Sequence, residues 1–294
     1  MSVISEHDKA LTDDDLAFFQ ANGYVLLRQA VPPENIDPAI DAIFEFLEMD
    51  RHDPDDWYRD PLPEIGMVEM YHHQAMWNNR QSPRIHAAFA QLWDTPRLWV
   101  SFDRMSFKPP ARPDKPRWAN KGFLHLDVKM DETRPVRFGL QGVLALADTT
   151  PEQGGFHCLP GWHTPEKQDE FARLVAEKDK PSFYGDEIPW DLGVTPIDMK
   201  AGDLVIWHRA LPHGNGLNRT DRPRIAQYIN MRPAREDDEQ ARQQRIHEWQ
   251  NRLPPANQPW VQGDPRQWEQ KHGRTAELSP LGRKLLGLDR WGAE

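Results

Sequence analysis

The sequence predicts a mainly β fold with flanking helices, whose core is a jelly-roll, or double-stranded β-helix. Between residues 99 and 232, short apolar runs alternate with turn residues such as Gly154-Gly155 and Pro160-Gly161. Before and after this stretch, the apolar residues follow helical spacing instead. We therefore expect a single domain of 294 residues: a helical N-terminal region with one early strand at 1–98, the jelly-roll at 99–232, and a helical or extended C-terminal region at 233–294.

The first element is predicted to be a helix within "LTDDDLAFFQANGYVLLRQAV". Thr12 is a suitable N-cap, acidic residues fill the first turn, and Asn22-Gly23 ends the helix. The following "YVLLRQAV" has the composition of a strand. "PPENIDPAIDAIFEFLEMD" is predicted to be a second helix, and the segment from Met67 to about Trp99 to be helical in pieces, most clearly at "SPRIHAAFAQLW".

The strands of the core are expected at 99–108, 122–130, 136–147, 155–159, 194–199, 203–208 and 224–232. Residues 164–193 interrupt them with a predicted helix and a loop that ends in Phe183, Tyr184 and Trp190. Because long insertions in compact domains often serve the site, we expect this segment to be a lid. The alternative is a helix packed on the outside of the barrel. After the core, "EDDEQARQQRIHEWQNRL" and "SPLGRKLLGL" are predicted to be helical.

Composition excludes several classes of protein. The formal net charge of -10 argues against a nucleic-acid surface and an electrostatic membrane anchor. The apolar runs are too short for a membrane span, and the first residues lack the pattern of a secretory signal. Cys158 is the single cysteine, so an intrachain disulfide and an all-cysteine metal site are excluded. We expect a cytoplasmic protein that acts on a small molecule.

A histidine and a carboxylate stand two positions apart in "GFLHLDVKMD". Residues i and i+2 of a strand face the same way, so His125 and Asp127 can hold one metal ion if a third ligand arrives. His213 is the candidate, because a jelly-roll brings distant strands together. Two histidines and one carboxylate with open positions form the site of non-heme Fe(II) oxygenases. Arg224 can bind a co-substrate carboxylate bidentately, whereas its competitor Arg222 lies in the turn "TDRP".

In these motifs the sequence resembles the phytanoyl-CoA dioxygenase family over about residues 10 to 232. The resemblance rests on His125-x-Asp127, on His213, on Arg224 eleven residues later, and on the "GG…LPGWH" segment. It implies a cupin-like jelly-roll with Fe(II) held by His125, Asp127 and His213, and Arg224 on the far carboxylate of 2-oxoglutarate. It also implies O2 as co-substrate, ascorbate as reductant in vitro, and hydroxylation of an unactivated C–H bond with release of succinate and CO2.

Further contacts are expected from single residues. Gln141 points at the co-substrate if its strand lines the barrel, and faces solvent otherwise. His73, Trp77, Trp118 and Leu126 are candidates for substrate binding. Leu126 stands where the human peroxisomal family member has glutamine, and the acidic surface offers no patch for a nucleotide phosphate. The substrate is therefore expected to be a hydrophobic or zwitterionic metabolite and not a CoA thioester.

The sequence contains further buried-histidine candidates and leaves two other functions open. His208, His157 and His163 are expected to be structural or to line the pocket, and Lys108 to lie at the mouth or in solvent. One alternative function is a cupin-like hydrolase or isomerase that uses the same ligands with zinc or manganese. The other is a jelly-roll that binds a small molecule without catalysis.

Overall fold

The computed structural model describes residues 9–128, 135–176, 178, 182–256, 258 and 261–292. Its strands are, in chain order, β1 (Tyr24–Leu27), β2 (Met67–Val68), β3 (Leu98–Val100), β4 (Met105–Lys108), β5 (Phe123–His125), β6 (Leu140–Ala145), β7 (Phe156–Cys158), β8 (Ser182–Tyr184), β9 (Thr195–Pro196), β10 (Leu204–His208), β11 (His213–Asn215), β12 (Arg224–Tyr228) and β13 (Met231–Pro233). The helices are α1 (Asp13–Asn22), α2 (Ile36–Leu47), α3 (Gln74–Arg80), α4 (Pro83–Trp93), α5 (Pro165–Leu174), α6 (Glu239–Asn251), α7 (Trp268–His272) and α8 (Pro280–Leu286).

The strands form two main antiparallel sheets that enclose an apolar interior. The larger sheet has the order β1-β10-β6-β12-β4-β2 and the smaller has β8-β5-β11-β7-β9, while β13 pairs with β3. Neighbours in these sheets are distant in sequence, as in a jelly-roll. Side chains of both sheets, such as Val143, Val205 and Phe156, pack in one cluster between them. The prediction of a mainly β jelly-roll is confirmed.

Strand β10 is buried on both faces, because the larger sheet is covered on each side. Leu204 and Ile206 belong to the cluster that packs against the N-terminal helices. Val205 and Trp207 belong to the cluster between the two sheets. A strand covered on both faces has a continuous apolar sequence, as "LVIW" does.

The predicted start and end of helix α1 are present. Thr12 Oγ1 accepts a hydrogen bond from the Asp15 amide at 3.1 Å, and the Asp15 carboxylate accepts one from the Thr12 amide at 2.8 Å. This reciprocal capping satisfies two amides that the helix leaves free. Gly23 ends the helix with φ of 77°, a left-handed conformation that glycine adopts without strain. The helix delivers the chain to β1, an edge strand of the larger sheet.

Several strands are shorter than predicted, and Asn230 gives one physical reason. The expected strand 224–232 divides into β12 and β13, and the expected strand 99–108 into β3 and β4. Between the halves, the Asn230 side chain accepts a hydrogen bond from the Gly142 amide at 2.7 Å and donates one to Asp103 at 3.1 Å. The Asn230 side chain thus accepts a hydrogen bond that a backbone carbonyl would accept in a continuous strand. The segment from Met67, expected to be helical, begins with strand β2 before α3 and α4.

Parts of the segment expected to be a lid pack against the smaller sheet, whereas Tyr184 and Trp190 are exposed. Phe171 of α5 is fully buried and shares a cluster with Leu124 and Phe183. Strand β8 pairs with β5, in the register Leu124↔Phe183. Residues 177 and 179–181 of the segment lie outside the described residues. This packing corresponds to the alternative, a helix on the outside of the barrel.

The C-terminal region makes buried contacts with earlier parts of the chain. Arg245 of α6 is buried and donates hydrogen bonds to the carbonyl of Val100 at 2.7 Å and to that of Leu286 at 3.0 Å. The Glu269 carboxylate accepts hydrogen bonds from the amides of Tyr71 and His72, both at 2.7 Å. None of the helices in the described residues has the length and apolar character needed to cross a membrane.

Candidate metal centre

Two neighbouring strands of the smaller sheet bring His125 and His213 side by side. In the register of β5 and β11, His213 pairs directly with His125, and their ring centroids lie 4.6 Å apart. Asp127 follows β5 by two residues and turns to the same side. Its carboxylate oxygens lie 2.8 Å from Nε2 of His125 and 3.6 Å from Nε2 of His213. The three residues that the sequence selected therefore meet at one point.

The rings are held in the orientation that a metal ligand needs. Nδ1 of His213 lies 2.9 Å from the carbonyl oxygen of Leu211, so a proton on Nδ1 is donated there. That hydrogen bond leaves the lone pair on Nε2, which faces Asp127. Phe156 and Trp207 enclose the same ring, at centroid distances of 6.0 and 4.8 Å. His213 is thus fixed by a carbonyl on one side and by aromatic packing on the others.

Asp127 is ionised in this setting. The surrounding protein atoms desolvate the carboxylate, which acts to raise its pKa, but the neighbouring His125 and His213 rings outweigh that effect and hold the pKa well below its usual range. Gln141 also donates a hydrogen bond to Asp127, with 2.6 Å between its Nε2 and Oδ2. Gln141 therefore points into the barrel, which is one of the two orientations expected for it. Its hydrogen-bond partner in the structure is the Asp127 carboxylate.

These residues fit a divalent metal ion. The candidate ligand atoms of His125, Asp127 and His213 all lie within 4.8 Å of one another. Imidazole nitrogens and a carboxylate oxygen suit divalent iron, zinc and manganese, and three protein ligands leave coordination positions for other molecules. Within the described residues, His125, Asp127 and His213 are the histidine and carboxylate side chains grouped closely enough to hold a metal ion.

Arg224 lies inside the barrel, whereas Arg222 lies outside it. Arg224 begins β12, is only 5% exposed, and has Ser106 Oγ 3.5 Å from its Nη1. It borders a narrow cavity of about 10 Å³ whose other walls are Val143, Ala145, Thr149, Phe156, Met199, Ile225 and Ala226. Arg222 is exposed in the preceding turn. The cavity beside Arg224 is thus mostly apolar, with one guanidinium at its wall.

Two buried polar residues lie near Arg224: Lys108, which was expected at the mouth or in solvent, and Asn215, which was not singled out from the sequence. Lys108 is the cross-strand partner of Arg224 and only 7% exposed, so it is neither at the mouth nor in solvent. Its Nζ donates a hydrogen bond of 2.7 Å to Oδ1 of Asn215. The rule that joins His125 to Asp127 also joins His213 to Asn215, because residues i and i+2 of a strand share a face. Asn215 was not singled out because His213–Asn215, which form β11, were not among the predicted strands.

The proposed substrate contacts have other partners in the structure. His73 caps α3 by accepting a hydrogen bond from the Ala75 amide, and Trp77 is fully buried against Phe102. Trp118 donates a hydrogen bond to the Leu62 carbonyl at 3.1 Å. Leu126 packs in the apolar cluster that contains Leu124 and Val128. Among the described residues, none of the hydrogen bonds or ring contacts joins these four to His125, Asp127 or His213, and their role in binding stays a prediction.

The remaining histidines and the cysteine have structural surroundings. His208 ends β10, accepts a hydrogen bond from the Ala210 amide at 3.0 Å, and lies 5.5 Å from the His163 ring. Nε2 of His157 lies 2.8 Å from the Phe123 carbonyl. Burial raises the pKa of the Cys158 thiol, which keeps it protonated. These residues support the walls around the three ligands.

The chain has relatives of known name and of known structure. The family model described as phytanoyl-CoA dioxygenase (PhyH) matches residues 19–226. The Ava biosynthesis cluster protein O of Aspergillus versicolor is 29% identical over 271 residues, covering 83% of this chain and 85% of that protein. The structure of GlcNAc Inducible Gene 2 (GIG2) from Candida albicans has a TM-score of 0.70 at 16% identity, covering 98% of this chain and 79% of that one.

A second solved structure holds ligands. It is the epimerase SnoN in complex with Fe3+, alpha ketoglutarate and nogalamycin RO, with a TM-score of 0.51 at 18% identity, covering 76% of this chain and 83% of that one. At such identities, the two solved structures establish a common fold.

Proposed function

Because the chain belongs to the phytanoyl-CoA dioxygenase family, whose model matches residues 19–226, we propose that it is an Fe(II)- and 2-oxoglutarate-dependent dioxygenase. It hydroxylates an unactivated C–H bond of a small-molecule metabolite. The observation that carries the proposal is the meeting of His125, Asp127 and His213 within 4.8 Å, in the same barrel as a buried arginine. Family membership and the geometry of the site support the same chemistry.

His125, Asp127 and His213 would hold the metal, and Arg224 would bind the far carboxylate of 2-oxoglutarate. When bound, Fe(II) and 2-oxoglutarate supply the oxidising chemistry: one atom of O2 enters succinate, which forms with CO2, and the other enters the hydroxylated product. The chain's own part is to position and to shield. Gln141 fixes the Asp127 carboxylate, and the Leu211 carbonyl fixes the His213 ring.

The apolar cavity beside Arg224 supports the assignment of the co-substrate. Val143, Ala145 and Phe156 line the narrow cavity at the Arg224 guanidinium, so apolar side chains would border the carbon chain of a bound 2-oxoglutarate. Arginine matches a carboxylate because its planar fork donates two parallel hydrogen bonds. Burial strengthens this pairing, since water competes less for the carboxylate there.

The substrate class follows from the surface and the relatives. The net charge of -10 does not favour a nucleotide phosphate, and the name of the Aspergillus versicolor relative places that protein in a biosynthesis cluster. A hydrophobic or zwitterionic metabolite of such a pathway is the substrate class we propose. Because one structural neighbour is an epimerase, the product should be identified by its mass and structure and not assumed to be an alcohol.

The test is succinate formation by protein freed of metal and then loaded with Fe(II), zinc or manganese. We expect succinate only with Fe(II), 2-oxoglutarate and O2 together, and more of it when a substrate is present. The His213→Ala variant should lose this activity. His208→Ala removes another buried histidine, at the end of β10, and should retain it.

The alternatives predict other results. A cupin-like hydrolase or isomerase would act with zinc or manganese and would need no 2-oxoglutarate. A jelly-roll that only binds a small molecule would show ligand affinity without turnover under any of these conditions. Either result would contradict the proposed dioxygenase.

A further inference from the structure

His157 lies on the outer face of the smaller sheet, directly behind the metal ligands. Its neighbours in β7, Phe156 and Cys158, point into the barrel, so the side chain between them points outward. Its partner in the register of β7 and β11 is Gly214, which follows His213. His157 is nonetheless only 1% exposed. A buried polar ring needs a hydrogen-bond partner, and the partner here is on a strand with which β7 does not pair.

The ring of His157 reaches over β11 to the backbone of β5. Its Nε2 lies 2.8 Å from the carbonyl oxygen of Phe123. Burial lowers the pKa of His157 to about 4, so the ring is neutral and carries its one proton on Nε2, where the carbonyl accepts it. Because β11 lies between β5 and β7 in the sheet, this single side chain ties three strands together.

Gly214 leaves room for this contact. A Cβ atom there would collide with the carbonyl oxygen of Phe123 and would come within 3.1 Å of Nε2 of His157. The Phe123 carbonyl thus lies over Gly214 on the outer face of the sheet, in the place of a side chain. A buried carbonyl in this position needs a donor on the outer face, since an unsatisfied acceptor is costly. His157 supplies that donor.

The insertion between the core strands holds the His157 ring from the outside. Trp190, in the segment 164–193, packs against this ring edge to face, with a centroid distance of 5.4 Å and an interplanar angle of 90°. Trp190 is 49% exposed, so one side of the indole faces solvent. The arrangement therefore has three layers, with Trp190 outermost, His157 beneath it, and the strands that carry His125 and His213 below both.

We propose that His157 is a positioning residue of the metal centre. Held by Trp190, it binds the Phe123 carbonyl and fixes β5 against β11. This contact keeps His125 and His213 at the spacing at which both can bind one ion. The inference rests on the metal site of the proposed function, and it gives the insertion a role that requires no motion.

The test compares His157→Leu, which fills the space without a donor, with His157→Gln, whose side-chain amide can still donate to the carbonyl. Calorimetry measures zinc binding to the metal-free protein, and the visible absorption of the cobalt(II) form reports the coordination geometry. We expect His157→Leu to weaken zinc binding about tenfold or more and to alter the cobalt spectrum, and His157→Gln to recover most of both. Trp190→Ala should act in the same direction. Tyr184→Ala, which changes another half-exposed aromatic residue of the segment, is the control and should bind zinc normally.

Three results would overturn the inference. The first is a folded His157→Leu with unchanged zinc affinity and cobalt spectrum, even at a lower Tm, because the role of His157 would then be structural alone. The second is an equal loss of zinc affinity in His157→Leu and His157→Gln, which would identify packing and not the hydrogen bond as the cause. The third applies if His157→Leu does not fold, and it is normal zinc binding by Trp190→Ala. Failure of the unaltered protein to bind zinc or cobalt would instead contradict the metal centre of the proposed function.

Discussion

Asp127 connects three side chains at the candidate metal centre. His125 and His213 face its two oxygens, and Gln141 donates to one of them. The carboxylate is the anionic member of the set, so it offsets part of the charge of a divalent ion, while the imidazoles supply directional lone pairs. Changing its charge without changing its shape therefore tests the metal centre with little effect on packing.

We expect Asp127→Asn to lose metal affinity by more than the roughly 10–100-fold that loss of an outer hydrogen-bond partner costs. A neutral amide is a poor ligand for a hard divalent cation. Titration of the metal-free protein with Fe(II) under anaerobic conditions, or with zinc, measures the change. Asp191→Asn, at an exposed position, is the matched control and should bind normally. Wild-type affinity in Asp127→Asn would mean that the metal binds elsewhere.

Arg224 and Arg222 form a second matched pair of variants. Arg224→Ala should weaken 2-oxoglutarate binding by two orders of magnitude or so, because a buried carboxylate would lose a bidentate partner, whereas metal affinity should change little. Arg222→Ala, in the exposed turn, should leave both affinities unchanged. The two affinities are measured by calorimetry. A larger defect in Arg222→Ala would show that the wrong arginine was assigned.

The alternation of a strand explains what could be predicted of this site. It suggested Asp127 as the partner of His125, and it relates Asn215 to His213 only once β11 is known to be a strand. It cannot show that Lys108 is buried, because a lysine at the end of a strand usually reaches solvent. That burial arises from the pairing of β4 with β12 and from the smaller sheet above them, which are long-range contacts.

Among the elements, those with local signals were predicted well. Helix α1 has a capping box and a terminal glycine, and both signals lie within a few residues of the ends that they set. Strand β8 has no such signal: Ser182–Tyr184 form a strand because β5 offers them an edge. The division between β12 and β13 was also missed, since it depends on the contact of Asn230 with the distant Gly142.

The segment 164–193 is the element whose motion matters most for the site. Since Phe171 and Phe183 are buried and Ser182–Tyr184 pair with β5, we expect the amides of β8 to be protected from hydrogen exchange equally with and without 2-oxoglutarate and zinc. Hydrogen–deuterium exchange with mass spectrometry measures this, and the amides of β10 serve as a protected reference. Protection of the segment that rises strongly on ligand binding would instead support the lid.

In the whole molecule, the C-terminal region completes the fold. Its role could not be predicted from the sequence, because its contacts are made by buried charged residues. Charged residues in a helix are usually exposed on the surface. Arg245 reaches the carbonyls of Val100 and Leu286, and Glu269 binds the amides of Tyr71 and His72. Since α3 begins just after His72, the C-terminal region holds the chain that leads into the N-terminal helices.

Glu269 makes the stability of the whole chain sensitive to pH. Burial raises the pKa of its carboxyl to about 7, although the amides of Tyr71 and His72 act in the opposite direction. The unfolded chain has an ordinary glutamate pKa near about 4.5, so the folded state binds this proton more tightly. The stabilising contribution of protonation is therefore complete below about pH 4.5 and is lost as the pH rises to about 7.

We expect Glu269→Gln to remove this part of the pH dependence, since an amide does not titrate in this range. The free energy of unfolding of the unaltered protein, relative to that of the variant, should fall by a few kcal/mol as the pH rises from about 4.5 to about 7. The Tm of the unaltered protein relative to the variant should fall with it. Thermal unfolding followed by circular dichroism across that range measures the difference. Glu166→Gln, at an exposed position, should parallel the unaltered protein throughout. A constant difference between the protein and Glu269→Gln would show that Glu269 stays ionised, in which case its two amide partners outweigh its burial.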